Sequence, residues 1–484
     1  MSDSQKPNII LMVLDAVRAK SVSAYGLSTG LTPHLDAFAD ENVLFKRAYS
    51  SGTWTIPTHT SMLTGLYLSQ HRIESTKADR YLNDDILTLP AALESQGYRT
   101  AAFSQNFLFS PKYQFAHFQE FHDMDEVWRS NPLLPGILSG SDALQNAAAT
   151  RYLRKITGLR RFLDAMLDWI KSPNQAKPLF LMANVANAHY PWAPPPDMLL
   201  RQAGFDLGLL RNREMFAPKP YQFNSGKRAV TTLHRRSWSA LYHAALMHVD
   251  REVGRFLRRL RRWSGWSNTI VVITADHGEM LGDYEDLIGH MLSLHDNLLH
   301  VPLMVRHPEY PRGIVAERVV QNLDLYSSII EWSACPTAAI PAAQLQRPGL
   351  SAAMETPHDS SGFAFAEEDF TDSYDPIGGL LRANPGMSPT KFPRQQIAVH
   401  TATHKYVWSN DHPARLYDLE SDPDENMNLN HAQTPAAQTV LKDLHQKMES
   451  WRAGLECFPP NLVNNAPQVD PVTMERLRNL GYVE

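Results

Sequence analysis

The sequence predicts an α/β protein with a large, mostly parallel (mixed) sheet flanked by helices on both faces. A small C-terminal α+β subdomain with a short antiparallel sheet follows it. Three observations carry this. A continuous apolar run of strand length stands at 9–14, and strong strand-like runs recur at 179–185 and 269–274, the pattern of strands buried on both faces. Segments with helical spacing alternate with such runs, as in sheets wound with crossover helices. Beyond a stretch rich in Pro, Ala and Ser (336–362), the strand-like runs are short and closely spaced. A chain of 484 residues exceeds what one core usually serves. The expected division is a large domain over 1–360, with a helical insertion at about 105–175, and a subdomain over 361–484.

The elements follow in order. Residues 9–14 form a buried strand ending at Asp15. A short helix at 35–41 and a strand or extended segment at 43–49 come next. Helical spacing resumes after Pro57 and runs through Leu63. Residues 89–95 are helical and stopped by Gly97, and 99–104 form a strand. The segment 151–171, RYLRKITGLRRFLDAMLDWIK, reads as a basic amphipathic helix on the surface, either covering the core or capping an anionic pocket. After the strand at 179–185, Leu241, Ala245, Val249, Val253 and Leu257 recur at spacing four and mark one face of a long helix over 240–262. Strands at 269–274 and 302–305, then a helix at 323–332, complete the large domain. Short strands at 363–367, 396–400 and 405–409 and a helix at 439–452 make the subdomain. There is no internal repeat.

Composition narrows the function classes. Hydrophobic residues make up 43% and charged residues 20%, with a net charge of -5. That is a globular composition with no basic excess, so no nucleic-acid partner is expected. The two cysteines, Cys335 and Cys457, fit neither a disulfide framework nor a Cys/His zinc site. The apolar run at 9–14 is too short to span a membrane and lacks the flanks of a signal peptide, so a cytoplasmic location is the expectation.

Four segments carry chemistry. Asp15 stands at a strand end, where open α/β sheets place ligands. SSGTWTIPTHTSMLTG (50–65) sets hydroxyls and one histidine at a helix start, which favours anions through free N–H groups and the dipole. In NTIVVITADHGEMLGD (268–283), an apolar strand delivers Asp276 and His277 together. One oxygen and one nitrogen donor suit Zn²⁺ or Mn²⁺ better than Ca²⁺. In ANAHYPWAPP (186–195), His189 follows a buried strand. Farther along, His290 and His295 are candidates for meeting the substrate, as is Arg18. Each segment taken alone also has a structural reading: a helix cap for Asp15 or Thr55, a buried hydrogen-bonded pair for Asp276 and His277.

Together, and in this order, the segments resemble the sulfatase branch of the alkaline phosphatase superfamily. PNIILMVLDAVR and TPHLDAFADENVLFKRAYS resemble the family's opening. TIPTHTSMLTG occupies the frame of its signature, in which Cys or Ser is followed by x-P-S-R. ADHGEMLGD with HVPLMVR resembles the second metal segment, and LYDLESDPDENMNL the C-terminal closure. The resemblance implies an alkaline phosphatase-like fold. It implies that Asp15, Asp276 and His277 bind one divalent metal ion, Zn²⁺ or Mn²⁺ ahead of Ca²⁺ or Mg²⁺, with Thr55 as nucleophile completing the shell. His189 matches the histidine that binds the transferred group, and His59 replaces the signature arginine.

The departures shape the expected chemistry. Sulfatases convert the Cys or Ser to formylglycine. Thr55 carries a β-methyl and cannot yield that aldehyde. Ala16 stands where the family has a second Asp. The remaining set resembles the superfamily's threonine-using phosphoryl-transfer enzymes. The expectation is therefore a metal-dependent hydrolase or transferase acting on a small anionic phosphate (mono- or di-) or sulfate ester, through Thr55 and a covalent intermediate. His189 and His59 would bind the anion, with His290 as leaving-group acid and His295 and Arg18 as further contacts. A sulfatase without formylglycine, a sulfuryl or phosphoryl transferase in biosynthesis, and an inactive anion-binding member remain as alternatives.

Overall fold

The computed structural model describes residues 6–26, 30–74, 79–113, 115, 117–123, 158–172, 177–204, 220–371, 375–462, 474 and 477. Its centre is an eight-stranded sheet made of β1 (Asn8–Leu14), β2 (Val43–Tyr49), β3 (Arg99–Ser104), β4 (Glu120–Asp123), β5 (Leu179–Val185), β6 (Thr269–Thr274), β7 (Leu303–Arg306) and β8 (Ile314–Gln321). The spatial order is β8-β2-β7-β6-β1-β5-β3-β4. β7 runs antiparallel to both β2 and β6, and the other pairings are parallel.

The unbroken apolar sequence of β1 follows from its central place. Ile9, Leu11 and Val13 enter one core with α2 (Thr55–Thr64), α3 (Leu89–Ser95) and α6 (Asp324–Trp332). Ile10, Met12 and Leu14 enter the other with α1 (Pro33–Asp40), α4 (158–170) and α5 (Thr232–Leu260). Alternate side chains point to opposite faces and helices cover both, so neither face tolerates a polar residue. Each fully buried aliphatic side chain contributes about 1.5–3 kcal/mol.

The large mixed sheet with helices on both faces agrees with the sequence reading, and so does a small antiparallel sheet. That sheet is a four-stranded meander of β9 (Ala364–Asp369), β10 (Gln395–His400), β11 (His404–Ser409) and β12 (Arg415–Asp418), packed on helix α7 (Pro435–Ala453). Several details differ. β8 was not expected: its core carries Glu317 and Arg318, which an edge strand can hold in solvent and an apolar-run reading passes over. β4 extends the sheet inside the expected helical insertion, and β12 is a fourth strand of the small sheet. α5 begins eight residues earlier than expected, because Thr231 caps it, its Oγ1 accepting from His234 N at 3.3 Å. Of the basic segment 151–171, residues 158–171 lie within the described residues, and 158–170 are helical. Among the described residues no helix is long and apolar enough to cross a membrane.

A buried ion network ties the small sheet to the loop after β6. Lys405 of β11, fully buried, donates to Asp296 at 2.7 Å and to Glu425 at 2.9 and 3.0 Å. Asp296 opens a one-turn helix, Asp296–Leu299, whose carbonyls then receive the backbone N–H groups just past β6.

Candidate metal centre and nucleophile

Six chemistry-bearing residues stand at the C-terminal ends of parallel strands, where a parallel sheet leaves its loops and free peptide dipoles. Asp15 follows β1, Thr55 follows β2, Asn106 follows β3, Asn184 lies near the end of β5, and Asp276 and His277 follow β6. All are buried.

Asp15, Asp276 and His277 each offer one ligand atom, and these atoms lie within 4.8 Å of one another. The second oxygens and nitrogens of the three residues are already occupied. Asp15 Oδ2 accepts from Asn106 Nδ2 at 2.8 Å and from Asn184 Nδ2 at 3.0 Å. Asp276 Oδ1 accepts from the backbone N–H of His277 at 2.9 Å and of Ala16 at 3.2 Å. His277 Nδ1 donates to Gly278 O at 2.8 Å, which leaves the lone pair on Nε2. The atoms that remain, Asp15 Oδ1, Asp276 Oδ2 and His277 Nε2, have no hydrogen-bond partner among the described residues. His277 Nε2 sits 3.7 Å from Asp15 Oδ1 and 3.4 Å from Asp276 Oδ2. Buried polar atoms are rarely left orphaned, and three electron-pair donors converging on one point fit a divalent cation.

Electrostatics agree with that fit. Burial works to raise the Asp15 carboxyl, yet His189, His277, the Asn106 hydrogen bond and His59 hold it down to about 2. Asp276 is pushed well above the usual carboxylate range by burial and by the Asp15 charge. Two carboxylates facing each other without a cation cannot both ionise cheaply.

Thr55 is the first residue of α2. Trp54 before it is extended (φ -150°, ψ 167°), and Pro57 sits in the first turn, where a missing N–H costs nothing. The helix is buried along its whole length despite five hydroxyl side chains. Three of those hydroxyls satisfy themselves on carbonyls four residues back: Thr58 on Trp54 at 2.8 Å, Thr60 on Ile56 at 2.8 Å and Thr64 on Thr60 at 2.7 Å. Thr55 Oγ1 makes no such bond; it accepts from Asn106 Nδ2 at 3.1 Å, the same amide that holds Asp15.

The structure brings together Asp15, Thr55, His59, Asp276 and His277, and sets the rings of His189 and His290 beside them. His277 stacks on His290 with centroids 4.6 Å apart, and His189 lies 4.7 Å from His290. His290 Nδ1 is 3.1 Å from Glu279 Oε1, and Glu279 Oε2 accepts from Tyr190 N at 3.0 Å. Burial pushes the imidazolium forms of His59 and His189 down to about 4 and that of His290 well below the usual histidine range, so these rings are neutral near pH 7.

Two expected contacts lie elsewhere. Arg18 does not face the cluster. Its guanidinium grips Asp283 at 2.6 and 3.1 Å, its Nε bonds Glu279 O, and the side chain is 3% exposed. His295 caps the one-turn helix: its Nδ1 accepts from Asn297 N at 2.9 Å, its Nε2 meets Asp424 O at 3.2 Å, and its ring packs on Tyr284. Both are spent on positioning the loop after β6. His59, expected to bind the anion, also has both ring nitrogens engaged. Asn184 Nδ2 donates to Asp15, which fixes the amide orientation, so its other N–H points to His59 Nε2 at 3.2 Å. His59 therefore carries its proton on Nδ1 and donates to Thr55 O at 2.9 Å.

Asn106, Asn184 and Glu279 escaped the sequence reading. A lone Asn inside the otherwise apolar β5 was a legible signal, because a fully buried strand has no other reason to carry an amide. Asn106 lies in a loop with no distinguishing pattern.

A sulfatase family profile matches residues 7–334. The chain is 24% identical to a multifunctional alkaline phosphatase superfamily protein of Trinickia caryophylli, over 92% of this chain and 95% of that one. It is 22% identical to an ulvan-active sulfatase of Formosa agariphila, over 93% and 82%. Among solved structures, phosphonate monoester hydrolase of Agrobacterium radiobacter superposes with a TM-score of 0.70 at 19% identity, covering 95% of this chain and 100% of that one. The chain belongs to the sulfatase family and is an enzyme of the alkaline phosphatase superfamily.

Proposed function

We propose that this enzyme cleaves a phosphate, phosphonate or sulfate ester by attack of Thr55 Oγ1, with one divalent ion held by Asp15, Asp276 and His277. The observation that carries the proposal is the shared amide of Asn106, which binds Asp15 Oδ2 and Thr55 Oγ1 at once and so fixes the hydroxyl beside the carboxylate–histidine cluster. Two carboxylates, one imidazole and a hydroxyl suit Zn²⁺ or Mn²⁺ better than Ca²⁺, which takes six to eight oxygens.

When bound, the ion supplies positive charge that favours the ionised threonine oxygen and the charge of the transferred group. Thr55 Oγ1 attacks phosphorus or sulfur in line and forms a covalent Thr55 ester, while the bond to the leaving oxygen breaks. Asn106 donates to the attacking oxygen, and the helix N-terminus faces the developing negative charge. His290, held through Nδ1 by Glu279 and neutral at rest, takes up the proton that Thr55 Oγ1 gives up and passes it to the leaving oxygen, and His189 contacts the transferred group. Water or an acceptor alcohol then attacks the Thr55 ester and regenerates the hydroxyl.

Intact-mass analysis of the metal-loaded protein after incubation with nitrophenyl phosphate, bis-nitrophenyl phosphate and nitrophenyl sulfate tests the reading. A phosphoryl or sulfuryl mass on the Thr55 peptide, lost in Thr55→Ala together with turnover, is the expected result. Full turnover by Thr55→Ala refutes it.

A further inference from the structure

The small sheet reaches the reacting centre through one carboxyl group. β9 is an edge strand of that sheet, and its free edge lies on the loop between β2 and Thr55: Glu367 N donates to Ser51 O at 3.0 Å. The next residue, Glu368, is 3% exposed. Its Oε1 accepts two bonds at once, from Thr53 Oγ1 at 3.0 Å and from Leu292 N at 2.9 Å. Thr53 precedes the nucleophile by two residues, and Leu292 follows His290 by two. One oxygen therefore ties the start of α2 to the segment that carries His290.

The arrangement is held from both sides. Glu368 Oε2 accepts from Gln396 Nε2 at 3.0 Å. Gln396 Oε1 in turn accepts from Arg415 Nη2 at 3.0 Å, which fixes the amide with its N–H toward Glu368. Leu292 sits in the left-handed region (φ 76°), uncommon for leucine, and its N–H is the one that Glu368 receives. Burial pushes the Glu368 carboxyl up to about 8, while the bonds from Leu292, Thr53 and Gln396 draw it down. A carboxyl group is costly to bury, and packing alone gives no reason for one here. Glu367 offers the contrast. It is also buried, but its Oε2 accepts from Ser69 N at 2.9 Å, beyond the far end of α2. Among the described residues it makes no hydrogen bond to Thr53 or to 290–292.

We propose that Glu368 is a positioning residue: by holding the Thr53 and Leu292 segments on one oxygen, it sets His290 against Thr55 for passage of the Thr55 proton to the leaving oxygen. The inference rests on the reading of Thr55 and His290 given above. It gives the C-terminal sheet a part in the reaction, from beyond the residues 7–334 that the family profile covers. Displacing a proton carrier by about 1 Å costs on the order of a hundredfold, and most when the leaving oxygen is basic and cannot depart without the proton.

The value of kcat/KM for the metal-loaded full chain, on a nitrophenyl ester and on its phenyl counterpart, tests the proposal. The ester used is whichever phosphate monoester, phosphate diester or sulfate the wild-type protein cleaves. This ratio runs through departure of the leaving group, and nitrophenolate departs with little need of a proton. Glu368→Ala is expected to lose about 10–100-fold on the phenyl ester and several-fold less on the nitrophenyl ester. Glu367→Ala, which removes a buried carboxyl from the same strand, is expected to lower thermal stability without widening that difference. Equal losses on both esters in Glu368→Ala, or the same widening in Glu367→Ala, overturn the proposal and leave the Thr55 reading standing. Full turnover by Thr55→Ala, or cleavage of none of the esters by the wild-type protein, overturns that reading and this inference together. Should Glu368→Ala fail to fold, Thr53→Val decides. It removes one of the two bonds to Oε1 and is expected to show the same leaving-group dependence at a smaller size; equal losses on both esters there overturn the proposal.

Discussion

The backbone N–H of Ala16 donates to Oδ1 of Asp276 across 3.2 Å, joining the end of the first strand to a residue 260 positions later in the chain. The bond requires Ala16 to turn into the left-handed region (φ 63°), which is uncommon for alanine and is held here by a second contact, Tyr242 Oη to Ala16 O at 3.0 Å. Position 16 thus orients the Asp276 carboxylate while contributing no carboxylate of its own. Asp tolerates this backbone conformation better than Ala does. Ala16→Asp should keep the fold and tighten divalent-ion binding by roughly tenfold, since ligand charge count tunes such sites. Competition with a chelator measures it, and weaker binding would contradict the geometry.

Asn106 serves Asp15 and Thr55 through one nitrogen, and its own Oδ1 is fixed by Leu108 N at 3.0 Å. Asn106→Ala should lower turnover or metal affinity by about 10–100-fold, the usual scale for groups that orient ligands, with an unchanged circular dichroism spectrum. A loss confined to KM would assign Asn106 to substrate binding instead.

Metal uptake should release a proton. In the metal-free protein Asp15 is ionised, while the Asp276 carboxyl is pushed well above its usual value by burial and by Asp15. Both must be ionised to bind a cation. Affinity therefore rises with pH and levels off once Asp276 ionises unaided. The calorimetric enthalpy measured in buffers of different ionisation enthalpy should report about one proton released per ion below that plateau. No proton released would show that the pair is already fully ionised.

Gly278 is irreplaceable for a steric reason. A Cβ there would lie 1.9 Å from Asn297 O, the carbonyl that receives Glu279 N at 3.1 Å. A backbone atom tied into the one-turn helix cannot move aside. Gly278→Ala should cost about 1–3 kcal/mol in stability and lower metal affinity, because it displaces the loop carrying Asp276 and His277. Thermal unfolding with and without metal checks both.

Arg18→Met separates positioning from substrate contact. Removing the guanidinium leaves Asp283 unpaired beside the loop after β6, with an expected loss of about 2 kcal/mol. KM should change by less than about twofold if Arg18 never meets the substrate. A large KM effect at unchanged stability would return Arg18 to the anion site.

The sequence by itself determined many of the strands and marked the residues of the carboxylate–histidine cluster. Residues 9–14 are apolar throughout, and 179–185 and 269–274 nearly so, because two helical layers cover them, and that pattern is local. Asp15 and the Asp276–His277 pair are legible because a polar residue ending such a run has few other reasons to stand there. What only the tertiary structure decided is how each candidate is used. Arg18, His59 and His295 look like anion binders in the sequence, yet Asp283, Asn184 and Asp424 claim them from positions far along the chain. Asn106 looks ordinary, and it and Asn184 become central because β1, β3 and β5 are neighbours in the sheet. A side chain's type sets which bonds it can make. Which bonds it does make depends on the partners the fold brings within about 3 Å, and strand order, unlike strand content, is not written in any local stretch of sequence.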